Sequence, residues 1–416
     1  MTHTESVPPL ADRSFDETEL DEAALDEEML HDAAFEDAEL SSSELCDPAL
    51  DDFIAELRAI GTDLRRAAGA GDIDHLQKIE RKGRIASALG YATAWLAPNP
   101  VSAAAIAAGT TTQWLMMHHI SHKGYDRVPG IPAKYTSKVF ARGRRRWLDW
   151  ADWITPSAWH LEHDHAHHYH LGEDGDPDLL ERNTQPLINA RLPRWSKRAV
   201  LGGFAGIWKW AYYAPSTIGV ERQKRQRLPV ADAPTSLEML NPGTERGRET
   251  WRRSLLPNLA IRFALVPVCF LPLGPKAVRN VALNVLIADI ISNIHGFIVI
   301  TPSHTASDLY RFEEPADAPG EFALRQIIGS ANYTTGGDIN DHLHMWLNYQ
   351  IEHHLWPDLT MLQYQSAQPR LAELCEKYAV PYLQESVWTR VAKTFRILDG
   401  SEQMLTAKQA RHVLAM

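Results

Sequence analysis

The sequence predicts an all-α integral membrane fold: two transmembrane helical hairpins, about four helices, beneath a cytoplasmic helical cap that carries clustered histidines. Three observations lead there. Two pairs of apolar segments are each split by a Pro- or Gly-containing turn, basic residues gather on one side of those segments, and three histidine clusters lie on that same side.

The chain divides into an acidic tail (residues 1–52), a membrane domain (53–390) and a C-terminal extension (391–416). The net charge of −11 hides two unlike parts: residues 1–52 hold eighteen Asp or Glu against the single Arg13, while the rest holds 41 Lys or Arg against 35 Asp or Glu, a balance of +6. In the tail, Leu10, Phe15, Leu20 and further Leu or Phe residues up to Leu50 recur at every fifth position, a period that suits neither a helical nor a strand face. Highly charged and poor in apolar area, the tail is expected to be disordered or marginally ordered, with a docking role as the functional alternative. The basic remainder suits an anionic membrane face, or an acidic carrier or electron-donor protein, and no motif for nucleic acid accompanies it. No cleavable signal peptide is read at the start.

From Asp52 to about Arg84 the pattern is charged and helical, with Ile54, Leu57, Ile60 and Leu64 on one side. Ile85–Pro98 and Val101–Met117 then flank the Pro98-Asn99-Pro100 break, and Leu255–Leu273 and Ala277–Ile300 flank Gly274-Pro275-Lys276. The later pair approaches the roughly 20 residues that cross a bilayer, whereas the first pair needs its flanks to reach. A mean hydropathy of −0.30 is low for a membrane protein. The acidic tail and a polar cap account for it, and a soluble helical protein is the alternative. Lys82, Arg84, Lys123, Arg127, Arg252 and Arg253 place the histidine clusters and both termini of a multi-pass protein in the cytoplasm, with Lys276 and Arg279 opposite. Arg262 and Asp289, at similar depth counted from the Gly274 turn, are expected to pair. Trp147, Trp150 and Trp153 follow a run of arginines at helical spacing, as a helix in the membrane interface or a core stripe would; Ala199–Gly219 is a second interfacial candidate.

The clusters are His118-His119-Ile120-Ser121-His122, six histidines between His160 and His170, and His353-His354 within Gln350-Ile351-Glu352-His353-His354-Leu355-Trp356-Pro357. In the first, His122 shares a helical face with His118 or His119; in the second, His163 and His167 share a face beside His168. Neutral imidazole suits iron, zinc, copper or nickel. Only Cys46, Cys269 and Cys375 occur, so thiolate sites and disulfide frameworks are excluded, in keeping with a reducing compartment. A redox metal held by nitrogen is the leading reading, and adventitious zinc on a histidine-rich surface is the bland one.

The series His118-x3-His122, His163-x3-His167-His168 and Gln350-x2-His353-His354 resembles the three histidine boxes of the membrane fatty acid desaturase and hydroxylase superfamily, over residues from about 80 to 390. The third box is similar to that of front-end acyl-lipid desaturases, where glutamine replaces the first histidine. The resemblance implies two non-haem irons held by His118, His122, His163, His167, His168, His353 and His354, with Gln350 beside them. It also implies one histidine between the second and third boxes: His304 is favoured over His295, which would lie inside the bilayer, and His342 and His344 are outsiders. His119 and His165 complete the candidates, and Glu162, Asp164 and Glu352 are expected to orient imidazoles. The implied activity is dioxygen-dependent desaturation of a fatty acyl chain carried on a lipid, coenzyme A or an acyl carrier protein. The three-residue spacing in the second box is familiar from hydroxylases, so hydroxylation or oxidative decarboxylation on the same scaffold stays open, as does a non-enzymatic metal-binding protein. The His-Pro-Gly-Gly motif of a fused haem domain does not occur, so electrons are expected from a separate ferredoxin-like or small haem protein.

Overall fold

A computed structural model of the chain describes residues 48–229, 233–316 and 318–406, so the five-residue repeat lies, apart from its last members, outside the described residues. The first helix, α1 (Pro48–Ala67), begins before the boundary expected at residue 52 and buries Phe53, Leu57 and Leu64. It lies against the third histidine segment. Arg65 grips Asp358 through two hydrogen bonds of 2.8 Å, and a Cβ on Gly61 would come within 2.6 Å of Trp356 Nε1.

Helices α2 (Ala70–Ala94) and α3 (Pro100–Ser121) form the first hairpin. Pro98-Asn99-Pro100 is both stop and start: Asn99 caps α3 by accepting from the Ser102 N–H at 2.7 Å, and Pro100 supplies a first turn that needs no N–H. Small residues let the two backbones meet. A Cβ on Gly90 would lie 2.8 Å from Ile106 N, and one on Gly109 would lie 3.0 Å from the Gly83 carbonyl.

The arginine and tryptophan run does not make one interfacial helix. A short helix ends at Asp149, and Trp150 and Trp153 turn into the core, 1% and 4% exposed. Helix α4 (Pro156–Trp159) then continues as a π-helix over His160–His167. Ala199–Gly219 is likewise broken, because α5 (Arg194–Ala205) is followed by a turn, a π-helical stretch and α6 (Ala214–Gln226), with Trp208 buried.

Helix α7 (Glu245–Leu273) and α8 (Pro275–Ile300) form the second hairpin, turning at Gly274 with φ +98°. Among the described residues only α7 and the run Pro275–Ser303 are long and apolar enough to cross a membrane by themselves, two of the four segments expected. Charged residues such as Lys82 and Arg84 remove α2 from that class, whereas α3 holds no Asp, Glu, Lys or Arg and falls short because of its small residues and the polar run Thr110–Gln113. Leu265, Val268, Leu271, Leu283, Leu286 and Ile290 form an exposed apolar surface on the second hairpin. Val281, Val285 and Ala288 of α8 pack on Ala94, Ala103 and Ile106, joining the two hairpins. Asn284 donates to the Ala94 and Ala97 carbonyls at 2.8 and 2.9 Å and accepts from the Asn99 N–H, so the turn between α2 and α3 leaves few backbone groups unpaired.

Beyond α8 lie α9 (Pro319–Ile328), α10 (Gln350–Leu355), α11 (Met361–Lys377) and α12 (Val387–Leu398). The all-helical expectation needs one amendment. Two-residue strands pair in parallel, Tyr310–Arg311 with Leu405–Thr406 and Asn332–Tyr333 with Gln384–Glu385. The boundary expected at residue 390 falls inside α12, where Arg390 is fully buried and meets Asp308 at 2.7 Å.

Arg262 and Asp289 meet at 3.5 Å, both nearly buried, as their depth suggested. Asp289 also accepts from Trp153 Nε1 (3.1 Å) and Asn293 Nδ2 (3.2 Å), and Arg262 donates to Thr110 (3.1 Å). Arg262→Leu should therefore destabilise the protein by about 3–5 kcal/mol by stranding a carboxylate, while Arg262→Leu with Asp289→Asn should recover most of that loss. Thermal unfolding in detergent reads both; equal losses in the single and double variants would contradict the pairing.

Candidate metal centre

Four separate elements bring the histidines together. The C-terminal turn of α3 supplies His118 and His122, the π-helix after α4 supplies His163 and His167 with His168 at its end, the turn after α8 supplies His304, and α10 supplies His353 and His354. The π-helix matters for the second segment. Its wider turn, closed by His168 N–H to the His163 carbonyl at 3.1 Å, takes up the residue that separates this spacing from the two-residue form, so His167 and His168 both point inward.

The ligand nitrogens form two groups. Those of His118, His122, His163 and His353 lie within 4.8 Å of one another, and so do those of His167, His304 and His354. His168 lies among both, with ring centroids 4.6 Å from His122 and 4.3 Å from His354. Gln350 Nε2 stands 2.8 Å from His304 Nε2.

His118 Nδ1 and His163 Nδ1 are buried without a hydrogen-bond partner, but four other rings each direct one nitrogen to a group outside the cluster. His353 Nδ1 meets the Tyr364 hydroxyl (3.1 Å), His354 Nδ1 the Gln326 amide oxygen (3.0 Å), His167 Nδ1 Asp176 (2.9 Å) and His122 Nδ1 Asp164 (3.2 Å). The opposite nitrogens of His122, His168 and His353 are buried with no hydrogen-bond partner. Buried polar atoms are rarely left so. Imidazoles anchored on one nitrogen and open on the other form a donor set that fits a metal.

The electrostatics agree. Burial, helped by neighbouring imidazoles, holds His163, His168, His353 and His354 well below the usual imidazole range, which keeps them in the neutral, metal-binding form. His167 is the exception: burial opposes its proton, but the Asp176 carboxylate outweighs burial and raises it. Burial pushes Asp178 up to about 6 and Glu352 to about 7.

Other candidates lie elsewhere. His119 faces the Met345 carbonyl (3.2 Å), His165 meets His160 (3.3 Å), His295 bonds the Leu343 carbonyl (2.6 Å) and His344 bonds the Asn340 carbonyl (2.8 Å). His342 stands 3.4 Å from Thr112. Of the three carboxylates expected to orient imidazoles, only Asp164 touches one of the clustered rings; Glu352 bonds Asn332 (2.8 Å) and Tyr382 (2.6 Å), and Glu162 faces Tyr213. Asp176, Gln326 and Tyr364 hold rings instead. Asp176 had a signal in the sequence, the turn-forming Asp174-Gly175-Asp176-Pro177-Asp178 run just after the second cluster; Gln326 and Tyr364 had none.

A cavity of about 130 Å³ touches both groups. His118, His163, His167, His304 and Gln350 lie in its wall together with Trp114, Leu201, Phe204, Trp208, Phe297 and Leu398.

A family model described as fatty acid desaturase matches residues 93–386. The chain is 31% identical over 130 residues to an NADPH-dependent stearoyl-CoA 9-desaturase of Mycobacterium tuberculosis, covering 30% of each protein. It is 24% identical to a chloroplastic acyl-lipid (7-3)-desaturase of Chlamydomonas reinhardtii, over 77% of this chain and 59% of that protein. A Delta(5) fatty acid desaturase of Dictyostelium discoideum is 22% identical over 64% of this chain and 55% of its own length. The chain thus spans from under a third to about three fifths of these curated relatives. With one match running from the end of α2 to the start of α12 and enclosing every clustered histidine, the chain belongs to the fatty acid desaturase family.

Proposed function

We propose that this chain is an enzyme that desaturates a fatty acyl chain, using dioxygen and electrons from a separate donor at a pair of non-haem irons. The observation that carries this reading is the cavity whose wall joins imidazoles of both histidine groups to aromatic and aliphatic side chains. An acyl chain suits such a wall, since each buried methylene contributes about 0.8 kcal/mol. The names of the relatives support an acyl group carried on coenzyme A or on a lipid, and an acyl carrier protein is the third carrier.

One iron would be held by His118, His122, His163 and His353, the other by His167, His304 and His354, with His168 between them and Gln350 beside His304. Iron, when bound, would activate dioxygen, the oxidant needed to take hydrogen from an unactivated methylene, which no acid or base side chain can do. The protein's own residues do the rest. Asp176, Gln326, Tyr364 and Asp164 hold the rings in one tautomer, and Trp114, Phe204 and Phe297 exclude water and limit which carbons lie beside the histidines.

In the membrane, the α2–α3 hairpin accompanies α7 and α8, and the clusters and both termini face the cytoplasm. A ferredoxin-like or small haem protein would deliver electrons to that basic side, where Lys123 and Arg127 follow the first cluster. The second-box spacing favours oxygen insertion as the rival outcome, hydroxylation or oxidative decarboxylation. The π-helix that absorbs the extra residue reduces its weight.

His353→Ala and His167→Ala are each expected to lower bound iron and abolish turnover without unfolding the helices, and the double variant should lose no more than either single one. Metal analysis and fatty acid profiling measure this; full activity in either variant would remove the assignment. Under heavy-isotope dioxygen the product should carry a new double bond and no labelled oxygen. Stoichiometric label in an alcohol would instead establish hydroxylation.

A further inference from the structure

The imidazoles divide unequally. One group has four, the other only His167, His304 and His354. Beside the smaller group stands Gln350, whose amide nitrogen faces His304 and whose oxygen is buried without a hydrogen-bond partner. Gln350 leaves that group short of a strong donor, because an amide is a weaker ligand than an imidazole or carboxylate.

Asp178 lies beside one histidine of each group. Its carboxylate, the His163 nitrogen and the His167 nitrogen are all within 4.8 Å of one another, and these two histidines belong to different groups. Asp178 also lines the cavity between them. Its position is fixed by the residue two places before it. Asp176 accepts from His167 Nδ1, from the Gly172 N–H (3.0 Å) and from the N–H of Asp178 itself (2.8 Å), and Pro177 stiffens the link. Asp176 is thus fully used within the protein. The Asp178 carboxylate has no hydrogen-bond donor among the described residues. The half-buried Asp178 carboxylate, at the cavity wall beside two histidines and without a donor, is therefore open to a cation.

We propose that Asp178 is an oxygen ligand of the metal centre, donating beside His167, next to the group that has three imidazoles, and on the side that faces His163. The assignment rests on reading the histidine groups as a metal pair. Mixed imidazole and carboxylate donation also favours iron over softer ions.

The test is anaerobic titration of the metal-stripped full chain with ferrous iron, followed by Mössbauer spectroscopy. Wild type should take up about two irons per chain. Asp178→Ala should retain about one tightly, its second binding weakened by more than the roughly 10- to 100-fold that loss of an orienting partner costs. Asp176→Asn provides that benchmark in the same protein, and Asp178→Glu should restore part of the lost affinity. Metal-free Asp178→Ala should melt no lower than metal-free wild type, since its carboxylate has no partner to lose. Uptake of about two irons by Asp178→Ala with wild-type affinity and spectrum would overturn the assignment, and so would a lower melting temperature of the metal-free variant. Wild type that binds no iron would overturn the metal reading itself.

Discussion

The site depends on one constraint: imidazoles buried together favour the neutral form, and a ring held by a partner on one nitrogen can turn the other to the interior. Burial supplies the first condition. A ring of partners from distant parts of the chain supplies the second: Asp164 and Asp176 near the second box, Gln326 on α9 and Tyr364 on α11. Ring orientation is therefore a property of all the elements packed around the histidines. This explains why α1 and α11, which carry none of the clustered histidines, are fastened to the third segment by Arg65–Asp358 and by Tyr364.

The same rule governs the apolar half of the molecule. Helices that face lipid must satisfy their polar groups internally. Asn280 and Asn284 of α8 reach across to the carbonyls that end α2, and Arg262, Asp289, Asn293 and Trp153 form a buried polar network between α7, α8 and the segment before α4. Nearby, Lys209 pairs with Asp152 at 3.3 Å and its N–H meets Asn293, joining the stretch after α5 to α8. The cavity wall draws on both halves, Phe297 from α8 and His163 from the π-helix, so the position of the hairpins sets the shape of the space beside the histidines.

Much of this was legible in the sequence because it is local. Helical periodicity, the Pro98-Asn99-Pro100 and Gly274-Pro275 turns, the equal depths of Arg262 and Asp289, and histidines three or four residues apart are all short-range patterns, and short-range geometry follows from the backbone. The tryptophan run failed as a helix because Trp150 and Trp153 gain more by burial in the core than a continued helix would offer, and position alone could not tell an interfacial stripe from a buried one. Glu352 lies beside His353 in the chain yet bonds Asn332 and Tyr382, since adjacent residues on a helix point in different directions.

By itself the sequence determined the chemistry available to this protein: a nitrogen-rich donor set, apolar segments long enough for a bilayer, and basic residues on the side of the histidines. The tertiary structure decided how those donors divide between two groups, that His304 and not His295 stands beside His354, and that Asp178 faces the histidines. It also decided that the extra residue of the second box is absorbed by a π-helix. The physical reason is that the histidine groups are built by side chains converging from segments tens to hundreds of residues apart, and that convergence is set by packing, which no local pattern encodes.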